Sequence, residues 1–244
     1  MTAAIASDVP SPRAHWLDAA RGVAVVAMVI YHFSWNLSHF GAIEVDVALH
    51  PLWRAFAKAI AASFLALAGY GLVLAHGRGV RWRPFLRRLA ILGLAALAVS
   101  LGSYAVFPES YIFFGILHCI AASSALALAF LRLPWWGLAL AAAAVFVLPD
   151  LVRLESLDAP VFYWTGLGTR VPFTNDYEPI FPWFAYVLAG MALARLDLPP
   201  LRPTAASQRP SPLETLGRWS LPIYLLHQPV LFGLTFAAFR MGWI

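Results

Sequence analysis

The stretch Arg21-Gly-Val-Ala-Val-Val-Ala-Met-Val-Ile-Tyr-His32 decides how this chain is built. Eleven helical positions at about 100° each come to three turns plus about 20°, with a rise of about 16 Å. A cation at the entrance of an apolar helix and an imidazole deep inside it therefore share one face. Polar groups at such depth are costly and mark a site or a pathway.

Working outward, 61% of the 244 residues are hydrophobic and 12% are charged, against about 45–50% and 25% in soluble domains. Apolar runs near 20 residues recur, which makes the chain an all-α, polytopic membrane helix bundle. Seven spans are predicted, roughly 19–38, 54–75, 86–106, 111–131, 134–150, 179–197 and 216–240, in a single transmembrane domain over 19–244. The net charge of +5 does not point to nucleic acid, because the arginines lie in loops between spans. Cys119 is the single cysteine and sits in an apolar run, so it reads as a packed small residue. Residues 1–18 read as a cytoplasmic segment with no cleavable signal, so the first run is expected to stay as an anchor.

Loop charge sets the orientation. With the N-terminus inside, twelve of the 17 basic residues (Arg13, Arg202 and Arg209 among them) fall on the inner side and five on the outer. That asymmetry predicts N-terminus in, C-terminus out; the membrane is expected to be a bacterial inner (plasma) membrane. The outer connection 151–178 is acidic and aromatic, and is expected to fold over the outer mouth. Residues 198–212, with Ser, Thr and Gln between prolines, read as a flexible cytoplasmic linker.

Three histidines fall inside spans: His32, His118 and His227. Counted from the span ends, His32 and His118 lie at similar height, and His227 lies near the mid-membrane. Any one of them would serve equally well by bonding a neighbouring carbonyl; three in seven spans favour chemistry. Gly115 precedes His118 by about a turn and permits close approach there, while Pro229 after His227 predicts a kink that frees a carbonyl. Asp176, ahead of Pro179 and Pro182, reads either as a cap on the sixth span or as a group that orients a histidine or binds an amine. On the inner side, Arg87 and Arg88 sit at the edge of the third apolar run, where they can face inward with Arg21 and pair with phosphates.

These residues resemble known families. Arg21 with His32, preceded by Leu17-Asp18-Ala19-Ala20, is similar to the first-helix motif of the acyltransferase-3 membrane enzymes. Phe114–His118, Asp176–Trp183 and Leu216–Pro229 resemble bacterial relatives of the heparan-alpha-glucosaminide N-acetyltransferase catalytic domain, so that the likeness runs from about residue 13 to 235. The resemblance implies transfer of an acetyl or other short acyl group from cytoplasmic acetyl-CoA (acyl-CoA), without a metal, to an amine or hydroxyl of a sugar or glycan on the far side. Arg21, Arg87 and Arg88 would then hold the donor's phosphates and His32 would be the general base. His118, Asp176 and His227 complete the candidate catalytic set, and Trp35 or Asn36 would donate to the oxyanion. His39 and His50, in the segment after the first helix, stand beside His32 as candidate bases. Two rival readings use the same histidines: a transporter or flippase for a lipid-linked glycan relaying protons, and a haem-bearing electron carrier ligated by His32 and His118.

Overall fold

A computed structural model describes residues 14–201 and 210–244. Most of the expected linker, Arg202 and Arg209 with it, and the first part of the expected N-terminal segment with Arg13, lie outside the described residues. The rest is helical: α1 His15–His39, α2 Pro51–His76, α3 Trp82–Val106, α4 Ile116–Ala127 (extended by a 3-10 turn to Phe130), α5 Trp135–Leu151, α6 Ile180–Arg195, α7 Pro212–Arg218 and α8 Ser220–Arg240. No β-strand occurs among the described residues; one isolated bridge joins Phe114 to Tyr177.

Four helices, α1, α2, α3 and α8, are long and apolar enough to cross a membrane. The others are shorter: α6 has 16 residues, which is about 24 Å against a hydrocarbon core of about 30 Å. A continuous span over 216–240 was expected, yet the chain breaks at Trp219 into α7 and α8. Pro222 explains this, because its ring would collide with the Arg218 carbonyl in one unbroken helix, and it is tolerated only in the first turn of a new one. Pro229, by contrast, sits inside a continuous α8.

Small residues set the crossings. A Cβ on Gly69 would collide with the Val187 carbonyl, and one on Gly190 with the Ala66 carbonyl, so α2 and α6 touch backbone to backbone. In the same way Gly217 of α7 rests on the Asp18 carbonyl of α1, and Gly22 on that of Leu213. Around the first crossing lies the main core, where Leu65, Leu188, Met191, Leu138 and Cys119 are fully buried. Cys119 is thus a packed residue, with Ser123 3.7 Å from its sulfur.

The connection between α5 and α6 is folded. Arg153 donates to the carbonyls of Pro149, Gly166 and Gly168, the Tyr177 hydroxyl donates to the Tyr163 carbonyl at 2.6 Å, and Asp158 accepts from Thr169 and Arg170. This connection runs along the end of the bundle opposite the arginine-rich one.

Candidate functional site

At the basic end, α1, α2, α3, α4, α7 and α8 enclose a cavity of about 750 Å³. Arg21, Arg83, Arg87, Arg88 and Arg218 line it, against a single carboxylate, Asp18. Asp18 is shared: it accepts from Arg21 Nη1 at 3.1 Å and lies 3.5 Å from Arg218 Nε. Glu214 continues this network, 3.1 Å from His15 Nδ1 and 3.9 Å from Arg218 Nη2, and so ties α7 to α1. The α3 arginines differ. Arg83, Arg87 and Arg88 have no acidic partner among the described residues; the first two are exposed and the third is half-buried. Gly71 of α2 makes room for Arg21, whose Nη2 would stand 3.1 Å from a Cβ at that position. Further in, the lining turns apolar with Phe64, Leu92, Ile120 and Leu221, and it includes Ile116 at the start of α4 and Tyr224 on α8.

Beyond Tyr224 lie two imidazoles. His227 Nδ1 is 2.7 Å from the Tyr224 carbonyl. A carbonyl only accepts, so Nδ1 carries the proton and Nε2 keeps the lone pair. That Nε2 is buried with no partner among the described residues. Its ring packs on His32, with centroids 4.8 Å apart and planes at 62°, and Tyr31 flanks His32 at 5.3 Å. His32 itself makes no hydrogen bond among the described residues and does not line the cavity; it meets His227, three residues after the cavity residue Tyr224.

His118 goes elsewhere. Its Nδ1 accepts from the Gly115 amide at 3.3 Å, and its Nε2 donates to Ser100 Oγ at 3.2 Å, which passes a hydrogen bond to the Ile112 carbonyl at 2.6 Å. Both ring nitrogens therefore staple the link between α3 and α4. The pairing that a haem site would need, His32 facing His118, is not formed; His32 faces His227. Helix rotation explains the difference, because depth along the membrane says nothing about which side of a helix a residue occupies.

Asp176 caps a helix, though a different one from the span that follows it. Its Oδ2 accepts the Ile116 amide at 3.1 Å, at the start of α4. Gly115 permits this, since a Cβ there would collide with the carboxylate. The group that approaches Gly115 closely is thus this side chain. Burial pushes the Asp176 carboxyl up to about 6, with the Ile116 hydrogen bond acting in the opposite direction. Glu178, two residues on, has Oε2 buried with no hydrogen-bond partner among the described residues.

His39 and His50 lie beyond the end of this arrangement. His39 is exposed and stacks on Trp35 at 4.9 Å, and exposed His50 precedes α2. Sequence reasoning did not single out Tyr224, Arg83, Arg218 or Gln228; the nearest signal was their clustering around His227 and the basic loops. No group of three histidine, cysteine or carboxylate side chains able to hold a metal ion is assembled among the described residues.

A membrane helix bundle with a basic cavity at one end and a packed pair of imidazoles further along α1 and α8 is the class of protein these observations define. Residues 13–229 match the family described as heparan-alpha-glucosaminide N-acetyltransferase, catalytic, and the chain belongs to that family. It is a membrane protein of a transferase family. No curated protein and no solved structure gave a match.

Proposed function

We propose that the protein is a membrane acyltransferase that takes an acetyl or other short acyl group from cytoplasmic acyl-CoA and passes it to a hydroxyl or amine of a sugar or glycan on the outer side. One observation carries this reading: five guanidiniums line a cavity that Tyr224 also lines, and the Tyr224 carbonyl orients His227 against His32. A nucleotide with several phosphates suits that mouth, because guanidiniums pair with phosphate oxygens bidentately. The apolar inner half suits a slender pantetheine arm, and keeps the charged nucleotide on the cytoplasmic side.

In this scheme the seven helices α1–α6 and α8 all cross a bacterial inner membrane, with the N-terminus inside and the C-terminus outside. The imidazole pair supplies the base. His227 is delivered in one tautomer, with Nε2 ready to accept a proton, and His32 lies against it to relay or receive that proton. His118 and Asp176 act by position, through the α3–α4 link and the start of α4. Proton-relay transport uses the same histidines but gives no reason for the arginines to converge on one cavity.

The test is to incubate membranes containing the protein with labelled acetyl-CoA and follow the label. Transfer to a glycan fraction, abolished by His32→Ala in a protein that still purifies as a folded species, is the expected result. Transfer that survives His32→Ala removes His32 from the scheme, and absence of any acyl-CoA consumption by the wild type removes the donor.

A further inference from the structure

The α1–α8 interface holds a second polar pair just past the imidazoles. Asn36 follows His32 by four residues, one turn and about 6 Å further along the same side of α1, and Gln228 directly follows His227. Gln228 Nε2 donates to Asn36 Oδ1 at 3.0 Å. Two facing primary amides can satisfy each other with a reciprocal pair of bonds; this pair makes one. Asn36 Nδ2 and Gln228 Oε1 are left buried without partners among the described residues, and Asn36 is 0% exposed. In this orientation the free amino group belongs to Asn36; exchanging nitrogen and oxygen in both amides would place it on Gln228, with one amino group and one carbonyl again unanswered. Surrounding lipid offers such groups nothing. A buried donor whose amide is held by an interhelical hydrogen bond within a turn of the imidazoles is what a developing negative charge requires.

We infer that the Asn36 amino group is the oxyanion donor of the transfer step and that Gln228 is the positioning residue that aims it, an assignment that rests on the acyltransferase reading above. The acceptor heteroatom forms its bond to the thioester carbon, and the carbonyl electron pair moves onto oxygen, where the Asn36 N–H donates to it. The acceptor's proton goes to an imidazole nitrogen. Collapse of the adduct restores the carbonyl, breaks the carbon–sulfur bond and sends that proton to the departing thiolate of CoA.

Two probes separate this role from simple helix fastening: CoA, which lacks the carbonyl, and S-acetonyl-CoA, an uncleavable thioether ketone that carries one. Binding of each is measured calorimetrically to full-length protein in detergent, for wild type, Asn36→Ala, Asn36→Asp and Gln228→Leu. Asn36→Asp keeps the acceptor for Gln228 Nε2, so it retains the interhelical bond should the alanine variant not fold. Both Asn36 variants are expected to weaken S-acetonyl-CoA roughly three- to tenfold while CoA holds within about twofold. Turnover of acetyl-CoA falls by about 10²–10³, and Gln228→Leu shows the same selectivity to a smaller degree. A folded Asn36 variant that binds S-acetonyl-CoA as the wild type does, or that loses CoA equally, overturns the assignment alone. A wild type that binds neither probe overturns the donor reading, and the assignment with it.

Discussion

The two ends of the proposed path are built on opposite principles. At the basic mouth, five guanidiniums face one carboxylate, and the α3 arginines keep contact with water. Around His32 and His227 no guanidinium lines the contact, and the atoms left without partners among the described residues include His227 Nε2, Asn36 Nδ2 and Gln228 Oε1, all hydrogen-bonding dipoles. Net charge attracts a polyanion but is weakened by salt and tolerates loose geometry. Neutral dipoles in a dry site gain strength from the low dielectric and must be held in place. In the proposed reaction binding would thus belong to the mouth and bond-making to the depth, so that a donor gripped on one side of a membrane would react on the way to the other.

The largest test of that division is kinetic. Replacing His227 by alanine is expected to lower turnover of acetyl-CoA by about 10²–10⁴, with little change in KM. A raised KM at unchanged turnover would place the imidazoles in binding and dissolve the distinction. Next comes the scaffold that joins α7 to the mouth. Gly217→Val drives a side chain into the Asp18 carbonyl and is expected to cost about 1–3 kcal/mol, seen as a lower melting temperature in detergent. Gly93→Ala, at a position with nothing within 4 Å, is the control and should be neutral or slightly stabilising.

Smaller effects sharpen the contrast. Arg87→Gln and Arg88→Gln are each expected to raise KM for acetyl-CoA roughly three- to tenfold at low salt, with turnover unchanged. Added salt should erase most of the difference for exposed Arg87 and less of it for half-buried Arg88. The smallest concerns the connection at the far end. Asp158 has its pKa held below the ordinary 3.8, first by the Thr169 hydroxyl and then by the backbone amides of Arg170 and Thr169. A depressed carboxylate stabilises the fold above its ordinary pKa, and that contribution disappears as pH falls through the lowered value. Amide exchange across 158–170 should therefore accelerate only below about pH 4, and Asp158→Asn should abolish the acid dependence.

Much of the architecture was legible in the chain. The helices fall where apolar runs were expected, because hydropathy accumulates along the chain whatever the helices later pack against. Arg21, Arg87 and Arg88 were placed together from their position at the edge of apolar runs, and they do line one cavity. The histidines were harder. His118 matches His32 in depth, yet its ring is consumed by Gly115 and Ser100, while His227, further in by residue count, is the partner His32 meets. Asp176 offered a choice between capping and a role toward a ligand; it caps α4 from 60 residues away, across a gap that local sequence cannot show.

The chain alone thus determined a basic-sided bundle of apolar helices, its family likeness and the residue types of its site, since composition, periodicity and charge partition are properties of the order of residues. Which imidazoles face each other, which carboxylate caps which helix and which residues line the cavity were decided only by tertiary packing, of which the close crossings of α2 with α6 at Gly69 and Gly190 and of α1 with α7 at Gly22 and Gly217 are part. Packing of this kind fixes the rotation of a helix about its axis. A rotation of 100°, one residue's worth, exchanges a partner for lipid.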